Sequence, residues 1–190
     1  MRLNFFSLLF FIASSVFGQE NTSELSKNAA DMHSMKGAHR LTLGLGHTHI
    51  SRGIVNGETE WITAGSWTLN YDYWISDRWA LGLQNDVVLE TFLVEDNENE
   101  IIERAYPWAI VPVAIFKAGK RLSLMGGIGV EIAHEKNLTL TRLGFEYGFH
   151  LPKNFEAGVA VVWDNKWNYY NSWGLAFTVS KIWQSNARGH

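Results

Sequence analysis

From Arg40 onward the chain repeats one pattern, in which large apolar side chains hold one parity of a segment while small or polar side chains hold the other. Trp67, Leu69, Tyr71 and Tyr73 alternate with Ser66, Thr68, Asn70 and Asp72, and Trp173, Leu175, Phe177 and Val179 alternate with Ser172, Gly174, Ala176, Thr178 and Ser180. A period of two belongs to strands and not to helices. A soluble barrel would turn its large apolar set inward, but that set would overfill an eight-strand lumen, which Gly, Ala and Ser fit. The large parity is therefore expected to face lipid. Composition agrees: charged residues make up 18% of the chain, against about 25% in ordinary globular proteins.

The alternation predicts strands near 40–50, 61–74, 78–93, 103–117, 121–134, 138–150, 155–164 and 170–183, an all-β, eight-stranded antiparallel up-and-down transmembrane barrel. Trp61, Trp74, Trp79, Tyr106, Trp108, Trp163 and Trp183 fall near segment ends, where interfacial aromatic girdles are expected. Connections at 75–77, 118–120 and 151–154 are short, while 51–60, 94–102 and 165–169 are longer and polar. Outer-membrane barrels keep short turns on the periplasmic side, so both termini are expected there. Lys136-Asn137 reads as a two-residue hairpin, and Pro107 and Pro112 each remove a ladder donor from the fourth segment.

Ahead of the barrel, Met1-Arg2, the apolar run Leu3 to Val16 and the small-residue site ending at Gly18 read as a secretory signal peptide over 1–18. Residues 19–39 read as a flexible periplasmic tail, 40–183 as the barrel and 184–190 as a C-terminal tail. A net charge of -3 without a basic run gives nucleic acid no footprint. The lack of cysteine excludes a disulfide scaffold or thiolate metal site.

On strand count, loop asymmetry and the closing strand Ser172-Trp173-Gly174-Leu175-Ala176-Phe177-Thr178-Val179, the chain resembles the small eight-stranded outer-membrane barrels typified by the OmpA transmembrane domain and OmpX. The closing strand is similar to the signal such proteins present to the barrel-assembly machinery. The resemblance implies residence in the outer membrane of a two-membrane bacterium, among outer-membrane lipid and lipopolysaccharide. The Gln184 to His190 extension departs from it by following the terminal aromatic, Trp183.

The polar parity places Asn70, Asp72, Gln84, Asp86, Glu90, Arg121, Glu131, Arg142, Glu146, His150 and Glu156 inward. With Lys136-Asn137 as a hairpin tip, Glu131 is expected opposite Arg142, Gly129 opposite Gly144 and Gly127 opposite Glu146. Paired carboxylates can perform acid-base chemistry, but inward polar groups of a closed barrel must also satisfy one another. Asp72, Asp86, Glu90, Glu131, Arg142 and Glu146 are read as such an interior network, with no cofactor and no porin-like channel.

Two groups of residues suggest other chemistry. Met32, His33, Met35 and His39 carry ligands suited to copper, and His47 and His49 share a strand face that a metal would need. His49 and Ser51 lie on the lipid-facing parity, similar to lipid A deacylase barrels in which His activates Ser for attack on an acyl ester. There the pair lies late in the chain; here it lies in the first strand, with no acid assignable to orient it. The leading expectation is a non-catalytic envelope structural or interaction protein working through its outer loops or periplasmic tail. An accessory to metal or small-solute transport, riding on a larger membrane protein, and a lipid acyl hydrolase are the alternatives.

Overall fold

The computed structural model describes residues 34–98 and 100–184. The expected signal peptide, most of the N-terminal tail with Met32 and His33, and the C-terminal tail beyond Gln184 lie outside the described residues. Ten strands follow one another: β1 (Ala38–Val55), β2 (Glu58–Trp74), β3 (Trp79–Val88), β4 (Thr91–Glu95), β5 (Ile101–Ala105), β6 (Trp108–Lys117), β7 (Leu122–Ile132), β8 (Leu138–Leu151), β9 (Phe155–Lys166) and β10 (Asn171–Gln184). The circuit β1-β2-β3-β6-β7-β8-β9-β10 closes where Ala38 to Ile50 pairs antiparallel with Gln184 to Ser172. The fold is the expected closed, eight-stranded antiparallel barrel.

Alternation decides which face is which. Along β1, Arg40, Thr42 and Gly44 are buried in the lumen while Leu41, Leu43 and Leu45 stay exposed outside. Small residues inside let the narrow barrel close: a Cβ on Gly46 would lie 2.0 Å from the Leu175 carbonyl oxygen of the neighbouring strand. β6 departs from the pattern, for Ala109, Val111, Val113 and Ile115 are buried inward while Trp108 faces outward. Both of its faces are apolar, so periodicity alone could not orient it. Trp74 also departs, since it is 2% exposed and turned into the lumen at the end that holds Ala38 and Gln184, rather than standing in a girdle.

Three connections at the end opposite Ala38 and Gln184 differ from expectation. β1 and β2 run on past position 50 to a tight turn at Asn56-Gly57, both with positive φ (52° and 85°), replacing the expected loop over 51–60. Asn-Gly is the pair that a two-residue hairpin favours, because both central residues must take positive φ. β7 ends at Ile132 and β8 begins at Leu138, so Lys136-Asn137 is not a two-residue tip. Glu131 therefore pairs with Leu138, Gly127 with Arg142 and Ser123 with Glu146. The turn is held open from outside the hairpin, where Arg104 donates to the Lys136 carbonyl oxygen at 2.5 Å and Glu135 accepts from the Glu103 N–H at 2.6 Å.

The third difference is the largest. The expected third and fourth strands break beyond Val88 and before Trp108, where Pro107 lacks a donor and Tyr106 takes φ 43°. The β4–β5 hairpin leaves the barrel wall and folds over the mouth opposite Ala38 and Gln184, pairing Val94 with Gly53 of β1. Arg52 ties its tip through Asn97 Oδ1 and the Asp96 carbonyl oxygen, and the Asn97 N–H reaches the Asn168 carbonyl oxygen of the β9–β10 turn. Phe92 and Val94 pack beneath it with Ile50, Val88, Leu138 and Tyr170. This hairpin is a lid, in place of a polar loop over 94–102.

Candidate functional site

The lumen holds two layers of ion pairs. Near the end that holds Ala38 and Gln184, Arg40 meets Asp72 (2.8 Å), Glu146 (2.8 Å) and Glu156 (3.1 Å), with Thr178 donating to Glu146 at 3.1 Å. Gly82 makes room for this layer: a Cβ there would stand 2.3 Å from an Asp72 carboxylate oxygen. Toward the lidded end Arg142 donates through Nε and Nη2 to both oxygens of Asp164, and through Nη1 to Asp86 and Gln84. Lys166 bridges Asp164 and Glu131 (both 3.5 Å). Glu131 in turn accepts from Arg104 of the lid at 2.5 Å and from the Tyr170 hydroxyl at 2.6 Å.

A cavity of about 60 Å³, lined by residues including Thr48, Ser66, Thr68, Asn70, Asp86 and Ser172, lies within the lumen. At about 10–15 Å³ of such volume per water, it suits a few waters rather than a conduit. Above it the ionic chain continues into the lid, so barrel wall and cover share one set of charges.

Asp72, Asp86, Glu131, Arg142 and Glu146 thus face the lumen, but Glu131 and Arg142 belong to different contacts: Glu131 takes Arg104, and Arg142 takes Asp164. Glu90 is no part of the network. It is exposed where β3 has ended, its Oε1 accepting from the Gly65 N–H at 3.4 Å. Arg121 and His150 are likewise exposed near the short turns. Arg40, Arg104, Asp164 and Lys166 were not anticipated. Parity signalled Arg40 and Asp164, which share the faces of Thr42 and Glu156, whereas nothing local signals that Arg104 returns to the lumen.

The first-strand motif separates. After Ile50 the β1–β2 register shifts through a bulge, and Arg52 takes φ 60°. Ser51 is consequently buried at the β1–β10 seam, where its hydroxyl donates to the Asn171 carbonyl oxygen and accepts from the Asn171 N–H, each at 2.9 Å. It shares no face with His49, whose Nδ1 is hydrogen-bonded to the Thr63 hydroxyl at 2.8 Å. His47 lies edge-on to His49 with ring centroids 5.0 Å apart. His39 Nδ1 is hydrogen-bonded to the Tyr71 hydroxyl at 2.6 Å and its ring stacks on Trp183, while the Met35 N–H donates to Asp77. Among the described residues no three His, Asp or Glu side chains converge to hold a metal ion. At the lidded end Lys136 stands over the Tyr169 ring, and a hydrogen bond with the Tyr169 side chain raises its pKa above the ordinary lysine value.

No protein-family model and no curated protein matches the sequence. In structure the chain is similar to Ail, the attachment invasion locus protein of Yersinia pestis, solved in complex with the heparin analogue sucrose octasulfate, with TM-score 0.53 and 13% identity over 76% of this chain and 99% of that one. It is also similar to Neisserial surface protein A, with TM-score 0.54 and 9% identity over 77% of this chain and 99% of that one. The resemblance to small eight-stranded outer-membrane barrels holds, and at these identities it is one of fold.

Proposed function

We propose that the chain is a non-catalytic outer-membrane barrel, with both termini periplasmic, that serves the cell envelope as a structural and interaction protein through its lidded outer surface. The observation that carries this reading is the double closure of the lumen, by ion-pair layers within and by the β4–β5 hairpin over the mouth. An interior filled by side chains leaves no aqueous channel, so what distinguishes this barrel to its surroundings is its exterior. The orientation rests on the short connections at 75–78, 118–121 and 152–154, which lie at the same end as Ala38 and Gln184. The separation of Ser51 from His49 removes the support for the hydrolase reading.

Two measurements test the proposal. Reconstituted in planar bilayers, the protein should pass no sustained large current, and a steady porin-like conductance would overturn the closed interior. The native chain has no cysteine, so single cysteines report orientation: in intact cells a membrane-impermeant maleimide should label Glu98→Cys on the lid and spare Gly119→Cys in a short turn. The reverse labelling would overturn the topology.

A further inference from the structure

Among the described residues, the outward face carries a polar notch that the closed-barrel reading does not use. His47 and His49 of β1 stand half-buried among lipid-facing neighbours, with Thr63 and Gly65 opposite them on β2 and Leu175 and Trp173 opposite them on β10. Exposed Leu45 lies on the membrane-centre side, while exposed Trp61 and Trp173 mark the outer aromatic level. Gly65 leaves the notch its depth, because a Cβ built there meets no atom within 4 Å.

Polar groups at that level need partners, since an imidazole N–H left unpaired against hydrocarbon loses its hydration with nothing in return. Asn85, another outward polar side chain, spends its carboxamide on the Leu69 carbonyl oxygen at 3.0 Å. The histidines do not do this. His49 commits Nδ1 to Thr63 and keeps Nε2, and the described residues give His47 no side-chain hydrogen bond. Glu90 stands on the β3 side of the notch with its carboxylate accepting from the Gly65 N–H at 3.4 Å, so a bound anion must lie on the β1 side, away from it. Ring N–H donors flanked by tryptophan at the boundary of an apolar band suit the acceptor oxygens of a lipid headgroup, of which a charged phosphate is the strongest acceptor.

We propose that His47 and His49, over the bare surface of Gly65, form a binding site for the phosphate of an outer-leaflet lipid headgroup. The lipid's chains lie along Leu45 and Leu43, and the ring N–H groups donate to the phosphate oxygens. No acid-base or covalent step is involved. The proposal rests on the membrane-barrel reading, whose own failure would appear separately as loss of heat-modifiable gel mobility in every variant.

The test is native mass spectrometry of the full chain extracted in mild non-ionic detergent from vesicles containing equal phosphatidylglycerol and a phosphate-free galactosyl diacylglycerol. The wild type should retain one phosphatidylglycerol several-fold more often than the galactolipid. His47→Leu with His49→Leu should abolish that preference while keeping heat-modifiable mobility, and Gly65→Val, which fills the notch at an unstrained backbone position, should do the same. Equal retention of both lipids by the wild type would overturn the proposal, as would a preference untouched in folded variants. Displacement of the retained lipid by inorganic phosphate alone would also overturn it, by showing that the acyl chains play no part.

Discussion

Arg142 and Asp164 face one another directly across the β8–β9 ladder, and Nε and Nη2 of the one lie 2.7 Å from the two carboxylate oxygens of the other. Both side chains are almost wholly withdrawn from solvent. Removing one partner of such a pair leaves an uncompensated charge, at a cost of about 3–5 kcal/mol. Arg142→Ala should lower unfolding stability in detergent by about that amount, and the double change with Asp164→Ala should cost less than the sum of the single changes. Additive costs would show that the pair is not coupled.

Glu131 offers a sharper check of register, because the neighbouring-strand rule and the folded lid assign it different partners. A double-mutant cycle between Glu131→Ala and Arg104→Ala should show coupling of about 0.5–3 kcal/mol. The cycle between Glu131→Ala and Arg142→Ala should show a smaller value, since Lys166 and Asp164 intervene.

The lid is joined to the barrel through Arg104, which is 0% exposed. Arg104→Ala removes its bonds to Glu131 and to the Lys136 carbonyl oxygen, so external protease should cut the β4–β5 hairpin faster in this variant while the barrel keeps its heat-modifiable mobility. Unchanged cleavage would mean that the apolar contacts of Phe92 and Val94 hold the lid unaided.

Facing can be tested by charge. Leu69 points outward near the middle of β2 and is 51% exposed on the bare protein. Leu69→Arg should cost about 2–4 kcal/mol in a lipid bilayer if it lies near the midplane. Glu98→Arg, on the lid tip, should cost close to nothing in the same denaturant titration.

The first-strand residues are separable by phenotype. Ser51→Ala should destabilise the folded barrel by about 1 kcal/mol, because its hydroxyl serves both backbone groups of Asn171. Neither Ser51→Ala nor His49→Ala should alter membrane acyl composition, and an acyl change abolished by either would restore the hydrolase alternative.

Alternation determined the architecture except in β6, whose two faces are both apolar. Leu41, Leu43 and Leu45 against Arg40, Thr42 and Gly44 specify which way β1 faces, because a one-residue slip would turn every side chain to the wrong face. The same parity brought Asp72, Asp86, Glu131, Arg142 and Glu146 into the lumen. Their partners were a different matter. An index rule pairs residues only across adjacent strands and needs the turn length, so one wrong turn moved Glu131 from Leu138 to Arg142. Arg104 meets Glu131 because the β4–β5 hairpin leaves the wall and crosses the mouth, bringing together residues 27 positions apart on non-adjacent strands. Ser51 left the face of His49 through a single bulge, which shifts register without altering the residue pattern around it. Parity is a local property of each strand and is written in the chain; barrel closure, bulges and the fold of the lid are set by packing around a circle whose members are distant in sequence, and only the tertiary structure could decide them.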